Sequence, residues 1–329
     1  MDRAIVLAQL ERGAAMPAPA CSYVLITPAR NEKKFLELTI TSVAAQTVRP
    51  LKWVIVSDGS TDGTDELVKK YASQHEWIEF VRAAEHGERH FAGKVAAFNA
   101  GYDRVKGLSF EVIGNLDADV SFNSCDYFES LMAKFAQNPR LGVCGTSYRE
   151  EGVIYPSRFT SVEDVFGACQ MFRRQCFEVI GGYLPIRSGG IDLIAFLSAR
   201  KMGWQTKTFL ELVCEHHRKV GSGQHANSYE RMMQTGRKDY LLGCHPLWEF
   251  ARCVYMMKSK PRLAGWLMFI GYFLSLLRGA KRTIPKDLME LRRKDQMLRL
   301  KRFLFQASSP PSEEGTNLHH GANDTLTLR

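Results

Sequence analysis

The sequence lacks the features that mark several common protein classes. Its eight cysteines include no Cys-x-x-Cys pair, which favours free thiols in a reducing compartment over a disulfide scaffold. Zinc binding through Cys214, His216 and His217 is an alternative, but their spacing matches no closed structural zinc site. Residues 21–218 contain no Gly-x-Gly-x-x-Gly fingerprint, so a dinucleotide-dependent dehydrogenase is not expected.

Long apolar runs are also scarce. The segment Leu263 to Leu277 has 15 residues without a charge, and as a helix it would be about 22 Å long at 1.5 Å per residue. A bilayer core is about 30 Å thick, so this segment should not span a membrane unaided. In the leader 1–20, the apolar stretch before the charged residues Glu11 and Arg12 is too short for a secretory signal. We therefore expect a flexible leader and a cytoplasmic protein.

Charge is distributed unevenly along the chain. Residues 231–302 hold 17 Lys and Arg against 5 Asp and Glu, a balance of +12, whereas the whole chain carries +9. The remainder is therefore slightly acidic, at 9 − 12 = −3. Nucleic-acid binding is one explanation of the pI of about 9.1, but the basic residues flank an apolar run rather than stacking aromatics. We therefore expect no nucleic-acid partner.

The N-terminal half alternates between predicted strands and helices. Short β-branched runs predict strands at 23–27, 51–57, 77–81 and 110–116, and helical spacing of apolar residues lies between them. This order predicts an α/β fold with a parallel sheet, whose ligands bind at the carboxyl ends of the strands. The polar turns Pro28 to Glu32 and Asp58 to Thr64 should both fall on that edge.

Two carboxylates, Asp117 and Asp119, follow the fourth predicted strand. On an extended backbone, side chains two residues apart lie on one side. Two hard oxygen ligands suit Mg²⁺ or Mn²⁺, with substrate phosphates completing the coordination shell. An Asp-rich turn that merely ends a strand is the alternative structural explanation.

Four motifs in sequence carry a family resemblance. They are LITPARNE, VIVSDGSTDGT, GKVAAFNAG and NLDADV, and together they resemble the nucleotide-sugar half of family 2 glycosyltransferases. The resemblance covers about residues 21–218 and implies the GT-A fold, a Rossmann-like and mostly parallel α/β sheet. It implies inverting transfer of a sugar from a nucleotide-diphosphate sugar, with Mg²⁺ or Mn²⁺ as cofactor.

The resemblance also implies roles for individual residues. Those expected to contact the base, ribose or diphosphate of the donor are Pro28, Arg30, Asn31, Glu32, Asp58, Lys94 and Asp117. Asp58 could instead be a turn-forming residue, and Lys94 a solvated lysine at the start of a helix. Asp117 and Asp119 are the expected metal ligands.

The expected general base is Asp192. In the family, this place carries an acidic motif whose last residue is the base, but here the preceding residue is Ile191 rather than a second acid. An Asp in the first turn of a helix is the structural alternative. In the family, a late histidine often completes the metal site. His216 and His217 would point to opposite faces of a strand, so only one of them should reach the metal; His216 is the preferred ligand, and a surface histidine pair is the structural alternative.

These observations predict four regions. They are a flexible leader (1–20), a GT-A domain (21–225, with a nucleotide-sugar half at 21–120 and an acceptor half at 121–225), a helical, basic and apolar membrane-associating region (226–305), and a disordered tail (306–329). Basic residues around the apolar run favour peripheral or monotopic association with an anionic leaflet, at the cytoplasmic face of the inner membrane.

The expected function follows from these regions and the resemblance. Processive synthases of the family add several membrane spans and a Gln-x-x-Arg-Trp motif, which this sequence lacks. We therefore expect a bacterial, non-processive enzyme that extends a lipid-linked glycan in cell-surface polysaccharide assembly. A transferase acting on polyprenyl phosphate and a non-catalytic nucleotide-sugar-binding subunit are the alternatives.

Overall fold

The computed structural model describes residues 21–83, 91–150, 153–155, 159–218, 228–258 and 263–307. The predicted leader and tail lie outside the described residues, apart from 306 and 307. The strands are β1 Tyr23–Ala29, β2 Lys52–Ser57, β3 Ile78–Arg82, β4 Val112–Leu116, β5 Val120–Phe122, β6 Leu141–Glu150, β7 Val153–Tyr155, β8 Cys169–Arg173 and β9 Gln205–His216. The helices are α1 Lys33–Ala44, α2 Thr64–Gln74, α3 Phe91–Val105, α4 Tyr127–Gln137, α5 Arg174–Val179, α6 Ile191–Lys201, α7 Ser228–Leu241, α8 Pro246–Lys258, α9 Leu263–Leu277 and α10 Lys286–Ala307.

One sheet runs through the protein in the order β3-β2-β1-β4-β8-β6-β9-β5, with β7 beside β6. The first four strands are parallel, as the alternation of strands and helices predicts. The chain runs outward from β1 to β3 and then returns to place β4 on the other side of β1. The strand order therefore reverses between β1 and β4, the position where sheets of this kind bind ligands.

The second half of the sheet is mixed. β8 runs antiparallel to β4 and to β6, β9 runs parallel to β6, and β5 runs antiparallel to β9. In the β5–β9 pair, Val120 lies opposite His216. This pairing brings the end of β9 beside the turn that follows β4, although the two segments are about a hundred residues apart in the sequence.

The core lies on both faces of the sheet because successive strand residues point to opposite sides. Leu25 packs in a layer with α1 and α4, which contribute Leu36 and Phe128. Its neighbour Ile26 packs on the other face, with Phe98 of α3. All of these side chains are at most 1% exposed, so both faces are covered, as expected for parallel strands with continuous apolar runs.

The turns at this edge of the sheet have defined local structure. Asp117 and Asp119 follow β4 in the short turn that leads into β5, as expected for a strand that ends in an Asp-x-Asp turn. Thr64 is the first residue of α2, after Gly63 in the left-handed region at φ 91°. Its hydroxyl accepts a hydrogen bond from the backbone N–H of Glu32 at 2.9 Å, which ties the turns after β1 and β2 together.

The C-terminal helices pack against the sheet domain and against one another. Ile284 and Leu288 are buried in the core layer that contains α6, and Arg299 of α10 forms a two-pronged ion pair with Asp164 at 2.6 and 2.9 Å. No helix in the described part of the chain has both the length and the apolar character needed to cross a membrane.

Candidate active site

A cleft of ≈ 320 Å³ opens at the carboxyl ends of β1 and β4. Nine of the ten predicted site residues line it, namely Pro28, Arg30, Glu32, Asp58, Lys94, Asp117, Asp119, Asp192 and His216. Parallel strands end at the same edge of the sheet, which explains why turns far apart in the sequence meet here. The cleft therefore brings the candidate donor, metal and base residues together.

Asn31 is the exception, since it is not part of the cleft lining. It adopts the left-handed conformation at φ 56°, a region that Asn tolerates better than most residues. Its side-chain Oδ1 accepts a hydrogen bond from the backbone N–H of Thr61 at 2.8 Å. The structure thus gives Asn31 a role in joining the two turns rather than a position facing the cleft.

The centre of the cleft holds a cluster of three potential metal ligands. One ligand atom each from Asp117, Asp119 and His216 lies within 4.8 Å of the others, and His216 Nε2 is 3.6 Å from Asp119 Oδ1. Ligands about 2.1 Å from a small divalent ion are separated by about 3.0 Å at right angles and about 4.2 Å across the ion. The spacing therefore suits Mg²⁺ or Mn²⁺ after small side-chain movements.

The second imidazole nitrogen supports this assignment. His216 Nδ1 is buried and has no hydrogen-bond partner among the described residues, and it faces Glu150 Oε2 at 3.8 Å. Histidine ligands usually direct the other ring nitrogen at a carboxylate or carbonyl, which fixes the ring orientation. Glu150 is thus placed to orient His216 toward the acidic pair.

His217 lies elsewhere, as expected for the next residue along a strand. Its Nε2 lies 2.8 Å from Ser121 Oγ, and its ring stacks on Phe35 with centroids 6.0 Å apart. Its backbone N–H donates to the carbonyl of Asp119 at 2.9 Å. His217 therefore helps to hold the acidic turn, while His216 belongs to the ligand cluster.

Two cations balance the acidic cluster. Lys94 Nζ forms an ion pair with Asp117, and Arg218 Nε is 3.6 Å from Asp119 Oδ2 while its Nη2 pairs with Glu32. Burial favours the neutral amine, but the carboxylates, led by Asp117, outweigh it and raise the pKa of Lys94 above its usual value. Lys94 is consequently charged at neutral pH and positioned to contact an anionic ligand.

The carboxylates of Asp117 and Asp119 repel each other. Burial, followed by the charge of Asp117, raises the pKa of Asp119, against the opposing effects of His216 and Arg218. A buried and a half-buried carboxylate this close favour a bound cation, because a cation relieves both their repulsion and their desolvation.

Asp192 stands in the first turn of α6 and lines the cleft. The helix begins after Gly190, which has φ 80°, and Gln170 Nε2 lies 3.3 Å from the backbone carbonyl of Asp192. Tyr183 OH in turn donates to Gln170 Oε1 at 2.8 Å. This buried network sets the position of Asp192 relative to the acidic pair.

Comparison with known proteins decides the family. The model of glycosyl transferase family 2 matches residues 24–194, which is more than half of the chain and contains every predicted site residue except His216. The chain belongs to glycosyl transferase family 2. It is therefore a glycosyltransferase, and the family prediction from the four motifs is confirmed.

Individual relatives are distant and match only in part. Poly-beta-1,6-N-acetyl-D-glucosamine synthase of Staphylococcus aureus is 31% identical over 113 residues, which cover 34% of this chain. The match spans only 25% of that synthase. The similarity is therefore limited to one region of the synthase, which is longer than this chain.

Solved structures confirm the GT-A-like fold of this family 2 glycosyltransferase. A mannosyltransferase from Pyrobaculum calidifontis, in complex with GDP-Man and Mn²⁺, aligns with TM-score 0.53 and 19% identity, over 93% of this chain and 90% of that one. S. aureus TarS in complex with UDP-GlcNAc aligns with TM-score 0.51 and 14% identity, over 87% and 92%. At such low identity the likeness concerns the fold alone.

The departure at Ile191 has a structural explanation in this glycosyltransferase. Ile191 is 6% exposed and packs in the core layer with α3 and α6. A second carboxylate at this position would be partly desolvated among apolar neighbours. The chain thus presents a single acid, Asp192, at the start of α6.

Several cleft residues were missed by the sequence analysis. They are Phe91, Asn115, Tyr148, Phe166, Tyr183, Arg218 and Lys238, together with Glu150 behind His216. Arg218 directly follows the two histidines at the end of β9, and that position was the only local signal for it. Phe91 and Asn115 stand close in sequence to Lys94 and Asp117. By contrast, β6 and α7, which carry Tyr148, Glu150 and Lys238, reach the site only through long-range packing.

Proposed function

We propose that this protein transfers a sugar, in a metal-dependent inverting reaction, from a nucleotide-diphosphate sugar to a hydroxyl of a lipid-linked glycan. The observation that carries the proposal is the convergence of Asp117, Asp119 and His216 with Lys94 and Asp192 in one cleft. The three ligands would hold Mg²⁺ or Mn²⁺, which when bound supplies Lewis-acid stabilisation of the leaving diphosphate.

The donor end of the cleft is formed by the turns after β1 and β2. Arg30 Nη1 lies 3.6 Å from Asp58 Oδ2, so this ion pair orients both side chains where the two turns line the cleft. A carboxylate such as that of Asp58 can accept a hydrogen bond from an N–H group of a base. Lys94, charged and half-buried beside Asp117, is placed to neutralise the diphosphate.

Asp192 is the proposed general base. As the acceptor hydroxyl oxygen forms its bond to the anomeric carbon, the bond from that carbon to the diphosphate oxygen breaks. The hydroxyl proton passes to Asp192, and the electron pair leaves with the nucleoside diphosphate. Attack from the side opposite the leaving group inverts the anomeric configuration, and one positioned base suffices for this single displacement.

Relatives support the substrate classes in this proposal. The solved relatives were crystallised with GDP-Man or UDP-GlcNAc, and the curated relative is a synthase of a polysaccharide. We therefore propose a uridine or guanosine diphospho-sugar as donor and cell-surface polysaccharide assembly as the pathway.

A thermal-shift panel tests the donor and metal sites. UDP, GDP, dTDP and CMP are added with and without Mn²⁺ to the native protein, to Asp117→Asn, and to Asp103→Asn as a control for loss of a carboxylate far from the cleft. We expect one diphosphate to raise the melting temperature by several degrees, only with Mn²⁺, in the native and control proteins. A shift that survives in Asp117→Asn would contradict the metal site.

Product analysis tests the acceptor. Incubation of the enzyme with labelled donor and extracted bacterial lipids should give an extended lipid-linked glycan whose new linkage has the inverted configuration. A labelled lipid monophosphate sugar, which is labile to mild acid, would instead identify a polyprenyl-phosphate sugar transferase. Donor binding without any product would support a non-catalytic nucleotide-sugar-binding subunit.

A further inference from the structure

The helices α8 and α9 expose a row of large apolar side chains. Most of the exposed large apolar residues recur at helical spacing, at positions 263, 266, 270, 274 and 277 of α9 and at 247, 250 and 254 of α8, while Tyr255 and Leu276 are exposed beside these rows. Trp266 is 54% exposed and Leu277 84% exposed. Each row follows a single face of its helix, which is the pattern of a surface helix that binds something apolar.

Aromatic contacts join the two rows into one surface. The ring centroid of Phe250 on α8 lies 6.3 Å from that of Phe269 on α9. Phe269 in turn lies 6.2 Å from Trp266 and 4.3 Å from Phe273. We call the apolar face the two rows of exposed apolar residues on α8 and α9 described above, together with Phe269.

The opposite side of α9 is packed too closely to rearrange. A Cβ at Gly236 of α7 would lie 1.9 Å from the carbonyl oxygen of Met268, and a Cβ at Gly271 would lie 2.0 Å from that of Met233. Tyr272 is fully buried and donates a hydrogen bond from its OH to the carbonyl of Cys244 at 2.6 Å. These contacts fix the rotation of α9, so the apolar face is held outward by the fold.

Charge around the apolar face indicates its partner. In the described part of 246–282, Lys258, Arg278 and Lys281 are exposed, at or just after the C-terminal ends of α8 and α9. The one acid, Glu249, is fully buried and lies 3.4 Å from Arg252. Two copies of this chain meeting through the apolar face would bring these positive charges together. An anionic lipid surface offers apolar chains below a negative headgroup layer, and so complements both features.

We propose that the apolar face docks on an anionic membrane, with α8 and α9 lying in the headgroup region rather than crossing the bilayer. Within the described residues no helix could cross it. The inference goes beyond the sequence prediction, because the binding surface is built from two helices and is held in place by α7.

The same helix α7 links the apolar face to the cleft. Gly236 of α7 contacts α9, whereas Lys238, two residues later and about 200° around the helix, lines the cleft. Both α7 and α9 thus lie between the cleft and the proposed membrane surface, a separation of about two helix diameters, roughly 20 Å. A lipid-linked glycan anchored at that surface would extend across this distance to reach Asp192. This last step rests on the proposed function, whereas docking on the membrane does not.

Vesicle co-sedimentation of the full chain tests the docking surface. We expect binding to vesicles that contain phosphatidylglycerol at low salt, and weaker binding to pure phosphatidylcholine vesicles or at high salt. The double variant Trp266→Glu/Ile270→Glu should bind at least about tenfold more weakly. Val179→Glu, which replaces an apolar residue that is 59% exposed on α5, should bind like the native protein.

A second measurement covers the case in which the double variant fails to fold, as judged by circular dichroism. Of the five tryptophans, Trp53 and Trp248 are buried and Trp266 is exposed, while Trp77 and Trp204 are intermediate. Vesicles with brominated acyl chains should therefore quench the native fluorescence. No binding, no quenching, or a dimer in solution that the double variant dissociates would overturn the proposal. Vesicle binding without transferase activity would leave docking intact and contradict only the proposed function.

Discussion

Replacing His216 by alanine should weaken Mn²⁺ binding, whereas the same change at His217 should not. His216 Nε2 lies 3.6 Å from Asp119 Oδ1 within the ligand cluster. His217, the next residue, bonds Ser121 and stacks on Phe35. The two variants remove the same side chain from adjacent positions, so each is a matched control for the other.

The expected loss of Mn²⁺ affinity in His216→Ala can be estimated from the typical effect of removing residues around a metal site. Loss of a residue that only orients a metal ligand typically costs 10–100-fold in affinity, so removal of His216 itself should cost about 100-fold. With Mn²⁺ at about 100 times its dissociation constant, binding stabilises the native protein by about 2.7 kcal/mol, and a 100-fold weaker site leaves about 0.4 kcal/mol. For a protein of this size, each kcal/mol corresponds to about 2–4 °C. The Mn²⁺-dependent shift should thus fall from about 5–10 °C to about 1 °C.

The assay is a thermal-shift titration with Mn²⁺, confirmed by calorimetric measurement of the dissociation constant. His217→Ala should lower the melting temperature equally with and without Mn²⁺, because it removes one hydrogen bond, worth about 1 kcal/mol, and leaves the ligands in place. If His217→Ala abolished the Mn²⁺ shift while His216→Ala retained it, or if both variants bound Mn²⁺ normally, the assignment of the ligand cluster would be wrong.

Three further predictions concern the base, the helix packing and pH. Asp192→Asn should lower the transfer rate by about 10²–10⁴-fold while calorimetry shows unchanged donor affinity; loss of donor binding would contradict the assigned role. Gly236→Ala must separate two helices by about 1.5 Å, since its Cβ would lie 1.9 Å from the Met268 carbonyl, so thermal unfolding should show a loss of about 2 kcal/mol after the gain in helix propensity. Gly107→Ala, with no atom within 4 Å, should be neutral. Burial raises the pKa of Glu249 to about 7, above its unfolded value of about 4.3, so the native state holds this proton more tightly. Stability should therefore decline by up to about 3 kcal/mol between about pH 4 and pH 7, and a Glu249→Gln variant that showed the same decline would refute this explanation.

The prediction of the parallel strands β1 to β4 succeeded because its signals are local. Each strand from β1 to β4 is a short apolar run, and each ends in a polar turn that is read directly from the sequence. Parallel strands end at one edge, so Asp58 and Asp117 could be assigned to the same place before any distance was known. The differences there concern the ends of elements, such as β1, which continues to Ala29.

The sequence by itself thus determined the family, the α/β sheet and the acidic pair, because motif order and apolar periodicity report on neighbouring residues. Only the tertiary structure decided that His216 rather than His217 joins the acidic pair, that Glu150 stands behind it, and that α7 connects the cleft to the apolar face. These arrangements arise from strand register and helix packing between residues far apart in the chain. A local pattern says which side of an element is apolar, but not which distant element will cover it.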